Sequence, residues 1–150
     1  MENRFEFLDR EHAELMASLR KLSRSGKKTG ASVTDLLAVL EPHFAKEERL
    51  VMPMLFLANR LAEGEHVKMD SVPGAAHEIE AEYSIMFNEH ARIRELAAYA
   101  RAAAEKEINS NAAETLDWLS HHAEIEEAIV YPLALLAAKL VKFTVSTTSR

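Results

Sequence analysis

The chain has 150 residues, 48% of them hydrophobic and 28% charged, which fits one globular domain and excludes disordered and fibrous classes. A net charge of −6 disfavours nucleic acid and anionic lipid. The absence of cysteine removes disulfides, thiolate catalysis, zinc fingers and iron–sulfur sites, so any metal must sit on nitrogen and oxygen. The longest nearly unbroken apolar run, Ala128 to Ala138, is too short to span a bilayer. Residues Met1 to Glu6 carry acids and no apolar h-region. The expectation is a soluble, cytoplasmic protein with neither nucleic acid nor membrane as a partner.

Only four glycines occur, Gly26, Gly30, Gly64 and Gly74, and the stretches between them are rich in Ala, Leu, Glu and Arg. That pattern predicts few, long helices, over roughly 3–24, 32–62, 75–106 and 112–142. The breaks fall at Ser23 to Ala31, Glu63 to Gly74 and Glu107 to Asn111, with Asn111 and Glu114 spaced as an N-cap and its N3 acid. The fold expected is an all-α, up-down-up-down four-helix bundle of two similar hairpins over 1–143, followed by a C-terminal tail over 144–150. Pro42, Pro53 and Pro132 lie inside these helices, where each removes a backbone donor and produces a local kink.

Each helix carries an apolar seam interrupted by polar residues. In the first, Phe5, Leu8, Leu15, Leu19 and Leu22 leave a gap filled by His12. In the second, Leu36, Leu40, Leu50, Met54, Leu57 and Leu61 leave places for His43 and Glu47. The third runs Ile79, Tyr83, Met86, Ile93, Ala97 and Ala100 around His90; the fourth runs Leu119, Ile129, Leu133, Leu136 and Leu140 around His122 and Glu126.

The halves also repeat. His43, Glu47, Glu48, Val51 and Pro53 recur 79 positions on as His122, Glu126, Glu127, Val130 and Pro132, and Glu11-His12-Ala13 recurs 78 positions on as Glu89-His90-Ala91. Each half therefore supplies two histidines and one glutamate to the middle of a bundle. Desolvating that many polar groups costs several kcal/mol per ion unless something compensates, and a cation does so. A His and a Glu at i and i+4 share a helix face and can bind one centre or two adjacent ones. The six residues His12, His43, Glu47, His90, His122 and Glu126 form a shell for two ions. In the symmetric arrangement one ion takes His12 and His43 and the other His90 and His122, with Glu47 and Glu126 bridging. Such donors with a vacant position suit iron or manganese, and zinc binds them too.

On these residues the sequence resembles the hemerythrin-like, HHE cation-binding family. Its pattern is met by His12, by His43/Glu47/Glu48/Pro53, by Glu89/His90 and by His122/Glu126/Glu127/Pro132, over about residues 10 to 135. The resemblance implies an up-down four-helix bundle with two non-haem iron ions bridged by carboxylates and by oxo or hydroxo. It implies reversible O₂ binding, sensing of O₂ or nitric oxide, iron handling, or repair of iron centres. Hemerythrins proper use His-x-x-x-His on the third helix, whereas Met86 and Arg94 flank His90 at four residues on either side. That departure weakens the case for O₂ carriage, and the lack of a cysteine-bearing scaffold segment weakens the case for repair.

The other polar candidates have blander readings. Glu48, Glu127 and His121 lie off the inward seam and could complete the shell only after a helix rotation; Glu48 and Glu127 read as groups behind the ligands or solvated neighbours, and His66 and His77 as surface residues. Tyr83, Met86 and Trp118 read as packing, although a tyrosine beside an oxidising centre can donate an electron. A haem would leave both glutamates without a role and lacks a Cys-x-x-Cys-His attachment motif. Ferritin-type sites use Glu-x-x-His with glutamates in excess, the reverse of the order here. The expected function is a di-iron protein that binds or senses O₂, nitric oxide or peroxide, or handles iron, with no catalytic residue assigned. The alternative is a di-metal oxidase or peroxidase using the same centre.

Overall fold

The computed structural model describes residues 5–67 and 73–148. These form an all-α bundle: α1 (Glu6–Ser23), α2 (Lys28–Ala62), α3 (Pro73–Lys106), α4 (Ser110–Ile125), one π-helical turn (Glu126–Val130) and α5 (Tyr131–Thr148). Helix α1 packs on α2 and α4, and α3 packs on α2, α4 and α5. No helix among the described residues is long and apolar enough to cross a membrane.

The breaks are shorter than the sequence suggests. Helix α2 starts at Lys28 and contains Gly30, where an added Cβ would lie 2.6 Å from Ser25 Oγ and 3.0 Å from the Ser23 carbonyl. Glycine here lets the α1–α2 turn close tightly, so it serves the helix rather than the break. The first turn of α2 is capped from a distance: the Glu107 carboxylate accepts from Lys28 N at 2.9 Å and from Thr29 Oγ1 at 2.5 Å. The cap of α4 is Asn109, whose side chain accepts from Ala112 N at 3.1 Å, and not the expected Asn111. Ile108 adopts a left-handed φ of 54° just before it, and that reversal moves the start of α4 two residues earlier. Helix α5 runs to Thr148, past residue 142 and through most of the segment read as a tail, because extending an existing helix is cheap compared with starting one. Residues 3–4 of the expected first helix and 149–150 of the expected tail lie outside the described residues. Pro42 and Pro53 lie within α2, as expected.

The apolar interior is split into two clusters. One is built around Leu15, Leu19, Leu36, Leu40, Ile93 and Leu119, the other around Leu8, Val51, Met54, Ile79, Met86 and Tyr131. In every helix the polar interruption of the seam falls between them, so the buried His and Glu side chains form one layer between two dry cores. Because α1 starts only at Glu6, the second cluster is closed mainly by α2, α3 and α5, and α5 meets α2 directly. Ala134, Ala137 and Ala138 face inward there, small enough to allow three helices to approach.

Beyond Glu126 the expected seam of the last helix holds only at Leu133, which packs half-buried on the second cluster. Ile129, Leu136 and Leu140 are exposed, and the buried row is Val130, Tyr131, Ala134, Ala137, Ala138 and Val141. The π turn is the reason: its i→i+5 bonding takes in one extra residue and advances the inward face by one position. Pro132 has no N–H to return to Ala128, which permits the widening. Pro53, at the same place in the repeat, sits in unbroken α2, so proline alone does not impose it.

Candidate metal centre

Four helices bring all six predicted residues together. His12, His43, Glu47, His90, His122 and Glu126 are each at most 2% exposed. Every histidine directs Nε2 to the centre. Glu126 Oε1 lies 2.9 Å from His122 Nε2 and 3.1 Å from His12 Nε2, and its Oε2 lies 3.3 Å from His90 Nε2. Glu47 Oε1 lies 3.1 Å from His43 Nε2 and 3.7 Å from His90 Nε2, while its Oε2 is 3.4 Å from His12 Nε2. Each carboxylate thus reaches both sides of the layer.

The pairing of histidines differs from the symmetric expectation. The structure couples His43 with His90, ring centroids 4.6 Å apart, and His12 with His122, 4.9 Å apart. The donor atoms form two groups, each within 4.8 Å: His43, Glu47, His90 and Glu126, and His12, His122 and Glu126. Partners come from α2 with α3 and from α1 with α4, because those faces meet across the bundle at this depth, whereas the repeat by itself is equally consistent with either pairing.

Three of the four histidines are held from behind. His43 Nδ1 lies 2.7 Å from Glu89 Oε2, His122 Nδ1 is 2.8 Å from Glu11 Oε2, and His90 Nδ1 is 3.2 Å from Glu127 Oε1. Such partners fix the ring and leave the Nε2 lone pair for the centre. Each Glu-His dipeptide therefore does two jobs, the histidine entering the layer and the glutamate orienting a histidine on the neighbouring helix. Lys46 Nζ holds Glu89 at 2.6 Å and Arg94 holds Glu127 at 2.7 Å. Arg94, which stands where a further histidine was sought, thus acts through Glu127. Met86 is fully buried packing. Glu48, His121, His66 and His77 are exposed and take no part.

His12 is the exception. Its Nδ1 is buried without a hydrogen bond and its ring stacks on Phe44, centroids 3.9 Å apart at 7°. The repeat would supply Glu48, but that side chain is exposed, and the counterpart of Arg94 is Met16, which cannot hold it. Between α1 and α2 at this point a groove of about 400 Å³ is lined by His12, Ala13, Met16, Ala17, Phe44 and Glu48, among others.

One participant escaped the sequence reading. The Tyr131 hydroxyl donates to Glu47 Oε1 and lies 2.9 Å from His90 Nε2 and 3.2 Å from His43 Nε2. Its ring stacks on His90 at 5.1 Å. The repeat pairs Tyr131 with Met52, so no symmetry argument pointed to it; only the π turn carries it inward.

Without a cation the layer is a charged network. Burial and the Glu126 charge raise the Glu47 pKa, but hydrogen bonds from His43 and His90 outweigh them and hold it below the usual value. Burial likewise raises Glu126, and contacts with His12, His122 and His90 overcome it, leaving that group well below the usual value. Burial lowers His90, yet Glu126 and Glu47 push it up to about 9. Burial and then the charges of Glu47 and Glu126 drive the Tyr131 phenol far up. Both carboxylates have lowered pKa values and are ionised, and still Glu47 Oε2, Glu126 Oε2 and His122 Nε2 lack hydrogen bonds. Orphaned buried atoms of this kind are costly, and a cation among them satisfies all three. The donor set of imidazole and carboxylate fits iron, manganese or zinc.

A buried imidazole–carboxylate layer between two apolar clusters of a helical bundle defines a cation-binding four-helix protein. The model of the hemerythrin HHE cation-binding domain matches residues 3–134, and the chain belongs to that family. No curated protein and no solved structure matches the chain.

Proposed function

We propose that this chain is a non-haem di-iron protein that binds or senses O₂, nitric oxide or peroxide. The observation that carries this reading is the pair of buried carboxylates, Glu47 and Glu126, each meeting three of the four histidines and each with one oxygen lacking a hydrogen bond. His43 and His90 would hold one ion, His12 and His122 the other, with both glutamates shared. Bound iron supplies reversible one-electron chemistry and an open position for a small ligand. The chain supplies the rest. Glu89, Glu127 and Glu11 orient three imidazoles, the two apolar clusters exclude bulk water, and the groove beside His12 gives a small molecule a route to the layer.

The test is anaerobic titration of metal-free protein with ferrous iron, followed by optical spectra with O₂, nitric oxide and peroxide. Two irons per chain and a ligand-dependent spectrum are expected, and the Glu47→Gln/Glu126→Gln double variant should lose two-metal loading while keeping its helical content. Two irons retained by that variant would refute the bridging assignment. Sustained turnover of peroxide or ferrous iron would move the protein to the oxidase or peroxidase class.

A further inference from the structure

We propose that Tyr131 is a fifth protein ligand to the ion held by His43, Glu47, His90 and Glu126, its phenolate oxygen bonding ferric iron. This rests on the di-iron reading and adds an asymmetry to it. The hydroxyl oxygen does not sit behind a ligand, as Glu89 and Glu127 do. It sits among the ligand atoms themselves, touching Glu47 Oε1, His90 Nε2 and His43 Nε2. An ion placed between these atoms lies against the phenol oxygen.

Three independent features support the assignment. The first is the backbone: a π turn, rare in helices and frequent at functional sites, immediately precedes Tyr131 and brings it into the layer in place of the leucine row. The second is the repeat, in which the corresponding residue is the half-buried Met52, so packing of this bundle does not require a tyrosine. The third is the donor inventory. The position before His90 that could add a histidine is Met86, fully buried packing, and the position after it is Arg94, committed to Glu127. Tyrosine oxygen, a hard anionic donor known at iron in other protein settings, completes that side of the shell. Among the described residues no tyrosine meets His12 or His122, which lie against Phe44, with Glu11 behind His122 and the groove beside His12.

On binding, the phenol O–H bond breaks and the oxygen keeps the electron pair that bonds the ion. The proton is released to solvent, since Glu47 Oε1, the acceptor of the existing hydrogen bond, is itself needed by the ion. No oxidant is consumed in that exchange; oxidation of ferrous to ferric iron is a separate step, with O₂ or peroxide as acceptor.

The experiment compares wild type, Tyr131→Phe and Tyr83→Phe after ferrous loading and oxidation with peroxide, by elemental analysis, visible absorption and resonance Raman scattering. With only three tyrosines in the chain the assignment is direct. Wild type and Tyr83→Phe should show a phenolate-to-ferric charge-transfer band and enhanced phenolate ring modes, both lost per bound iron in Tyr131→Phe, with circular dichroism retained. Wild-type protein that carries two ferric ions without phenolate modes overturns this proposal alone and leaves the di-iron reading standing; so does a band that survives in Tyr131→Phe. Failure of wild type to take up iron overturns both. If Tyr131→Phe does not fold, the wild-type Raman spectrum still decides.

Discussion

Glu11 and His122 are 111 positions apart in sequence and 2.8 Å apart in space, carboxylate Oε2 to imidazole Nδ1. The contact ties α1 to α4 at the level of the buried polar layer, and Glu89 makes the equivalent contact with His43 at 2.7 Å. Neither glutamate belongs to the inward shell. Both set which nitrogen of a histidine faces the layer and how firmly the ring is held.

Replacing either carboxylate by its amide should therefore weaken metal binding without dismantling the bundle. For Glu11→Gln and for Glu89→Gln we expect a loss of about 10- to 100-fold in affinity, read by competition with a chromophoric chelator. Glu48→Gln, at an exposed carboxylate, is the control and should bind as wild type does. Equal affinities for all four proteins would show that these contacts do not orient ligands.

The π turn makes a prediction about stability. Leu136 is 56% exposed and Ala138 fully buried, the reverse of what an uninterrupted α-helix through Glu126 would give. Leu136→Gln should change unfolding free energy by no more than about 0.5 kcal/mol. Ala138→Leu, which inserts volume where α2, α3 and α5 converge, should cost about 1–3 kcal/mol. Urea denaturation of the metal-free variants separates these outcomes, and the opposite ranking would place the helix in the unshifted register.

These residues also mark where sequence reasoning stops. His12, His43, Glu47, His90, His122 and Glu126 were legible because each interrupts an apolar row at helical spacing, and an interruption in a buried stripe is visible whatever the neighbouring helices do. The bundle was legible for the same reason. The pairing of His43 with His90 was not, since the pattern within a helix says which face is buried but not which neighbour it meets. Tyr131 was hidden more deeply. Leu133, Leu136 and Leu140 extend the α-helical period past Glu126 without a flaw, and nothing local announces an extra residue in the turn. The repeat offered one clue, Tyr131 against Met52, the single position beside the conserved-spacing proline where one half has a polar group and the other does not.

Glu107 gives the fold a pH dependence outside the metal layer. Its carboxylate caps α2 through Lys28 and Thr29, and the hydrogen bond from the Thr29 hydroxyl, then those from the backbone, hold its pKa below 4.5. A group whose pKa is depressed by folding contributes stability that is complete above the unfolded value and is lost as pH falls through the folded one. Glu107→Gln, a mimic of the protonated form, should therefore melt below wild type above pH 4.5, and the gap should close as pH drops further. A gap that stays constant in acid would show that charge plays no part in this cap.

The groove beside His12 leads to a kinetic prediction. His12 is the one histidine of the layer whose Nδ1 has no carboxylate behind it, and the void of about 400 Å³ next to it is bounded by short side chains at Ala13, Ala17 and Ala45. The other three imidazoles are backed by Glu11, Glu89 and Glu127 at Nδ1. If the layer holds ions as proposed, a small ligand should reach them past His12. Ala17 is exposed at the mouth, more than one helical turn beyond His12, so Ala17→Trp should narrow the route while leaving iron content and melting temperature close to those of wild type. Stopped-flow mixing of the loaded protein with azide should then show association slowed several-fold, with the final spectrum unchanged. Unaltered association in Ala17→Trp would mean that ligands enter elsewhere in the bundle.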